Sequence, residues 1–402
     1  MTLHPTRMER SLVLVPSNIA LKLTPQHRRL MSVCAGYLFP FALLLVPECC
    51  AVAQARPAAS RVRTIVDSLA HAYLDAGHSP GLSIEVVRGR DTLVRAGYGF
   101  ADLEQQVAAS PSTLYEIGSI TKQFTAAAVM RFVEAGRIRL DDSIAAYVGD
   151  LPLRWRRVSV RQLLNHTSGI PSMTDIGQRW VRRWREDMPT DSLVALTAHD
   201  SMWFAPGTNW RYDNTGYLLL GILLDRVTGE TFPHLAEGRL ARPLGLVDTY
   251  YCDLNRVLPD RAPGYERDST GWHRASYLSM TQPYSAGALC STVDDLARWN
   301  VLLAGGNVVS PSSYRLMTTP EGAAQSHGYG FGLVADTLGG RRMIGHNGGI
   351  NGFASANGFF PDDTLSVTVL TNTSSWDPDS LFRNVARAAL GVPLVRPIRR
   401  NP

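Results

Sequence analysis

Lysine is almost missing from this chain. Of the 40 basic residues among 402, 38 are Arg and only Lys22 and Lys122 are Lys. A genome that favours Arg codons explains such a composition in a bland way. The same bias replaces any lysine whose only task is a positive charge. A lysine that survives marks a place for a compact ammonium that can release its proton, which a guanidinium does not do. Cysteine is scarce as well. Three of the five, Cys34, Cys49 and Cys50, fall in the first 55 residues, leaving Cys252 and Cys290. No C-x-x-C or Cys/His spacing points to zinc. No metal or organic cofactor is implied. Net charge is a modest +5. Residues 1–55 hold five of the basic residues against Glu9 and Glu48, so the rest is close to balanced. That is no nucleic-acid footprint. Internal repeats and low-complexity linkers are absent. With 45% apolar and 19% charged residues, disorder and disulfide-dense mini-protein classes are excluded.

The one long apolar run is Leu30–Pro47, preceded by Arg28-Arg29 and followed by Ala53-Gln54-Ala55. Positive flank, apolar stretch and small-x-small site describe a secretory leader. The alternative is an uncleaved anchor, although Ser32, Gly36 and Pro40 interrupt a run at the lower limit for a span. The true start is open, with Met8 as one candidate. The expectation is an exported protein, periplasmic or secreted, and membrane-anchored if residues 1–55 are retained. Export predicts an oxidising compartment in which Cys252 and Cys290 pair, while two buried thiols remain the alternative.

Beyond the leader, 58–76 carries apolar residues at helical spacing. Strand-like runs follow at Leu82–Val87 and Thr92–Tyr98. Residues 113–300 read as mainly helical, with helices at Ser119–Ala135, Val160–Leu164, Tyr217–Thr228 and Thr292–Leu303. The chain then returns to strands at Tyr329–Ala335, Met343–Gly345, Gly352–Phe360 and Leu365–Thr371, and closes with a helix at Ser380–Leu390. The implied fold is α/β (α+β). An antiparallel sheet from 56–112 and 301–402 is flanked by N- and C-terminal helices and interrupted by an all-helical subdomain. A cleft between the two parts is the natural place for a site.

Three short motifs carry chemistry. Ser119-Ile120-Thr121-Lys122 opens the Ala-rich helix and places Ser and Lys on one face. A hydroxyl is a weak nucleophile until a base takes its proton, and a desolvated lysine can be that base. Tyr212-Asp213-Asn214 follows about 90 residues later. A phenol beside a serine can shuttle protons, and an amide can hold a substrate carbonyl. His346-Asn347-Gly348-Gly349 ends a strand, where glycines let a substrate backbone approach. The Gly349 and Ser119 N–H groups would form an oxyanion hole. Each motif alone also fits a bland role: a helix cap with a surface lysine, turn residues after Pro206-Gly207, a strand-end histidine.

Taken together in this order, S-x-x-K, Y-x-N and H-x-G resemble the serine β-lactamase and penicillin-binding-protein superfamily. The branch that looks most similar holds class C β-lactamases, D-alanyl-D-alanine carboxypeptidases, D-aminopeptidases and esterases. Tyr115-Glu116-Ile117-Gly118, Leu163–Ile170, Ser285-Ala286-Gly287 and Gly328-Tyr329-Gly330-Phe331-Gly332 strengthen the likeness, which covers roughly 60–390. The resemblance implies a β-lactamase/transpeptidase-like fold. It also implies Ser119 as acylated nucleophile, Lys122 as its proton partner and Tyr212 as general base and leaving-group acid. Asn214 would orient the acyl side chain, and His346, Asn347, Gly348 and Gly349 would line the substrate. His346 stands where the family often has Lys, and Asn347 where it has Thr or Ser. Both departures weaken carboxylate binding. Asp213 adds a charge that either tunes preference or faces away, and His166 is expected to fix a loop.

The implied activity is that of a serine hydrolase on D-amino-acid or peptidoglycan-like peptides or related amides. An esterase on short acyl esters or lactones comes second, and a weak β-lactamase third. The alternative of another class is a non-catalytic penicillin-binding sensor or scaffold. The expected partner is a small-molecule or peptide substrate with a scissile carbonyl. One segment stands outside the resemblance: Arg179–Arg185 sets Trp180 and Trp184 at i, i+4 among four Arg. It reads as a surface helix covering the helical part, as a cleft rim, or as a contact with an anionic envelope or membrane surface.

Overall fold

The structure, a computed structural model, describes residues 57–395. The expected leader and the first three cysteines lie outside the described residues. Among these no helix is long and apolar enough to cross a membrane.

Helix Ala59–Asp75 buries Val62, Val66, Ala70 and Tyr73, the stripe its spacing predicts. Strands β1 (Gly81–Arg88), β2 (Asp91–Asp102) and β3 (Val107–Ala108) follow. The middle of the chain contributes β4 (Tyr115–Glu116), β5 (Tyr250–Tyr251), β6 (Tyr265–Asp268), β7 (Gly271–Arg274) and β8 (Leu289–Ser291). The last strands are β9 (Val334–Leu338), β10 (Arg341–Ile350), β11 (Phe353–Phe360) and β12 (Leu365–Thr371). Seven of them form one sheet in the order β3-β2-β1-β12-β11-β10-β9, and every pairing in it is antiparallel. Strands β1 and β12, from opposite ends of the domain, pair at its centre, with Leu82 opposite Thr371.

Strands β11 and β12 are buried at every position. The reason is cover on both faces. Helix Ala59–Asp75 and the closing helix Asp379–Leu390 pack on one face, around Ile84, Val367 and Phe382. Helix Val293–Ala304, capped by Thr292 accepting from the Asp295 N–H, packs on β1, β11 and β12 from the other. The sequence boundary at residue 300 therefore cuts a helix that belongs with the sheet.

The intervening part is mainly helical, built on Thr121–Glu134 and Asn214–Thr228. It is not purely so: β4-β8-β5 form a small sheet, and β6-β7 a hairpin. Cys252 and Cys290 are bridged there, with Cα atoms 5.3 Å apart. That separation suits a disulfide. The two-thiol alternative is thus set aside.

Two strand readings are corrected. Tyr329–Ala335 is mostly turn, because Gly328 and Gly332 adopt φ of 63° and 68° and Gly330 N–H bonds back to Leu333 O. The strand begins only at Val334. Conversely β10 runs on through His346–Gly349 to Ile350, held by pairing with β11.

Candidate active site

The α-helix predicted from Ser119 starts two residues later than expected. Gly118–Ile120 forms a 3-10 turn, and the α-helix begins at Thr121. Two glycines allow β10 to lie against this turn. Gly118 has φ of 51°, and a Cβ on it would meet the Gly349 nitrogen at 2.8 Å. A Cβ on Gly348 would meet Ile117 O at 2.0 Å. Backbone thus presses on backbone, which side chains at either position would prevent. This contact brings the third motif beside the first.

Lys122 is fully buried beneath Ser119. Its Nζ lies 3.1 Å from Ser119 Oγ, 2.8 Å from Asn214 Oδ1 and 2.8 Å from Ala286 O. Burial holds its pKa well below the usual lysine value, and the Asp213 carboxylate opposes this. The Nζ also sits 4.7 Å from the centre of the Tyr212 ring.

Tyr212 faces Ser119, yet its buried hydroxyl makes no closed hydrogen bond. Burial keeps the phenol well above its ordinary pKa. Behind it sits His166, its ring 4.3 Å from the Tyr212 ring and 4.5 Å from that of Tyr329. His166 Nδ1 accepts from the Asp213 N–H at 3.1 Å, and its backbone is left-handed, with φ of 61°. Its loop-fixing role thus extends to backing the Tyr212 ring.

Asp213 lines none of the cavities around Ser119. It is buried at the start of the Asn214–Thr228 helix and accepts from Ser168 Oγ at 3.1 Å. Burial pushes its carboxyl up to about 7 against the pull of nearby amides, Ser168 and Lys122. Asn214 is fixed twice more, by its N–H on Ser172 Oγ and its Nδ2 on Thr174 Oγ1.

His346 is neutral, its pKa pushed down to about 4 by burial and by Lys122. Its Nδ1 is 2.5 Å from Asn347 O, which can only accept, so Nδ1 carries the proton. Nε2 then accepts from the Tyr329 hydroxyl at 3.0 Å. Both ring nitrogens are occupied. Asn347 Nδ2 donates to Asp379 Oδ1 at 3.3 Å.

The eight expected site residues are therefore gathered around one cleft. A cavity of about 380 Å³ is lined by Ser119, Tyr212, His346, Asn347, Gly348 and Gly349, with Trp376 and Asp377 at its far side. The sequence motifs do not single out the Ala286 carbonyl or Tyr329. Ala286 and Tyr329 lie inside the Ser285–Gly287 and Gly328–Gly332 matches. That was their only signal.

A serine over a buried amine, on a helix packed against an antiparallel sheet, defines a serine hydrolase of the β-lactamase/transpeptidase fold. A model of the family described as Beta-lactamase matches residues 66–391, and the chain belongs to that family. It is similar to Protein flp of Staphylococcus aureus, 27% identical over 77% of this chain and 63% of that one. It is 29% identical to a D-aminopeptidase of Brucella anthropi over 85% of this chain and 64% of that one. The chain thus spans under two thirds of the length of these curated relatives. Among solved structures, a D-stereospecific amidohydrolase from Streptomyces sp. aligns with a TM-score of 0.70 and 27% identity, over 81% of this chain and 98% of that one.

Proposed function

We propose that this protein is an exported hydrolase that forms an acyl-enzyme on Ser119 and cleaves amides or short peptides of D-amino acids. The observation that carries the reading is the set of partners around Lys122. Asn214 Oδ1 and Ala286 O can only accept, so a neutral amine gives them its two protons. As an ammonium Lys122 also donates to Ser119 Oγ across 3.1 Å; once that third proton is lost, its lone pair faces the Ser119 hydroxyl. That is the arrangement of a general base.

In the cycle, Lys122 takes the Ser119 proton as Oγ attacks the carbonyl. The N–H groups of Ser119 and Gly349 receive the developing oxyanion. Tyr212, a neutral phenol, gives its proton to the leaving amine as the C–N bond breaks, and the proton that Lys122 took from Ser119 is passed on to restore the phenol. Water then enters and releases the acid.

The leaving-group side supports a neutral group there. His346 offers no charge. Arg383, which lines the adjoining cavity together with His327, is held by Asp379 at 2.7 Å and Asp336 at 2.9 Å. A substrate carboxylate finds no free partner, which places carboxypeptidase and β-lactam chemistry behind amide chemistry. The names of the D-aminopeptidase and the D-stereospecific amidohydrolase point the same way. Esters fit the same neutral site and form the second reading. The Cys252–Cys290 bridge supports export, because disulfides persist in oxidising compartments.

The test is mass spectrometry after fluorophosphonate treatment, then turnover of D-phenylalaninamide, p-nitrophenyl butyrate and nitrocefin. One adduct on Ser119 is expected, absent in Ser119→Ala, with the amide turned over faster than nitrocefin. No adduct sinks the reading. A stable adduct without turnover favours a binding protein.

A further inference from the structure

We propose that Trp180 is the specificity-determining wall of the acyl side of the site, selecting acyl side chains that are apolar and of aromatic size. The inference rests on Ser119 as the acylated nucleophile. A second cavity of about 240 Å³ shares Ser119 and Gly349 with the first but not Tyr212 or His346. A leaving group has to face its proton donor, Tyr212. The acyl group therefore extends the other way, into this second cavity.

Its walls are Met173, Trp180, Leu278, Pro283 and Ile350, and its polar lining includes Asn214 and Thr174. No ionisable side chain lines it. A charged side chain on the acyl group would lose its hydration there and gain no partner. An apolar one gains by burial, and the space far exceeds what a methyl group fills.

The wall is held in place. Trp180 Nε1–H donates to Gln282 Oε1 at 3.0 Å. The Gln282 amide, wholly buried, donates in turn to Arg183 O and Glu186 O at 2.9 and 2.8 Å. Trp184 closes edge-on against Trp180, with ring centres 5.7 Å apart. The Arg/Trp segment thus covers the helical part, as its Trp pair suggested, and also rims the cleft. Its helix covers only Gln178–Val181, and both indoles are half-buried against the core. Arg179 pairs with Asp200 and Arg183 with Glu186. A buried glutamine braces one indole as the rim of the cleft.

The test compares p-nitrophenyl acetate with p-nitrophenyl phenylacetate on the full chain. The two share a leaving group, so only the acyl side differs. Trp180→Ala is expected to lower the phenylacetate-to-acetate ratio of kcat/KM about 10-fold. Trp180→Phe retains an aromatic wall and keeps the ratio within about threefold of the parent. Leu278→Phe, which narrows the same cavity, lowers the ratio as well and stands in if Trp180→Ala does not fold. An unchanged ratio in the folded variants, with Ser119 still labelled by fluorophosphonate, overturns the inference and leaves the hydrolase reading intact. Failure to label Ser119 in the parent chain removes both.

Discussion

The two flanks of Ser119 handle charge in opposite ways. The acyl flank contains none: its walls are apolar side chains and neutral amides. The leaving-group flank contains a good deal and cancels it. Arg383 is clasped between Asp379 and Asp336, Asn347 is tied to the same Asp379, and Asp377 stands at the far side. A charged acyl side chain is therefore rejected on one side for want of any partner. On the other, the one suitable partner is already engaged. Between the flanks sits Lys122, beneath the nucleophile, its pKa held well below the usual lysine value by burial.

Changes to that shared floor should have the largest effect. Lys122→Arg keeps a positive charge but no releasable proton. Acylation of Ser119 should fall by a factor on the order of 10³ or more, in both amide turnover and fluorophosphonate labelling. Near-normal labelling would show that Lys122 is not the base. Tyr212→Phe comes next and acts on one flank alone. Amide hydrolysis should drop about 100-fold, because the amine leaves only when protonated. Release of p-nitrophenolate needs no proton, so p-nitrophenyl esters should lose distinctly less. Equal losses would assign Tyr212 a merely steric part. Asp379→Asn is a smaller change, aimed at the cancellation itself. With one carboxylate gone, Arg383 can reach an anionic leaving group, and peptides ending in a free carboxylate should gain about threefold relative to their amides. No gain would mean that Asp336 alone suffices.

The mildest effect is on stability. Burial pushes the Asp213 and Glu116 carboxyls up to about 7 in the fold. The folded state then binds their protons more tightly than the unfolded chain does. Stability is greatest below the unfolded carboxylate values near 4 and falls as pH rises towards 7. Thermal melts from pH 5 to pH 8 should show that decline, and Asp213→Asn should flatten it. A slope unchanged in Asp213→Asn would remove Asp213 from the account.

Much of this architecture is legible in the sequence where side-chain pattern alone decides. The Leu365–Thr371 run is β12 to the residue, and Val160–Leu164 is a helix with the same ends. The site motifs are legible for a related reason, since chemistry demands particular residue types at particular spacings. What escapes is whatever tertiary contact decides. His346–Gly349 has little intrinsic preference for a strand, yet pairing with β11 makes it one. The Ala286 carbonyl on Lys122 has no side-chain signature, because any residue offers a carbonyl. For Trp180 a cleft rim is only one of several readings the sequence allows, because its brace, Gln282, comes about 100 residues later. The pairing of Cys252 with Cys290 needed a distance that letters do not carry.

The central pairing of β1 with β12 has a temporal meaning too. The first strand of the sheet pairs with β2 at once, but its other neighbour, β12, comes about 280 residues later in the chain, and such distant pairings form slowly. An emerging chain therefore stays open, able to be threaded and in need of protection, until its last strand arrives.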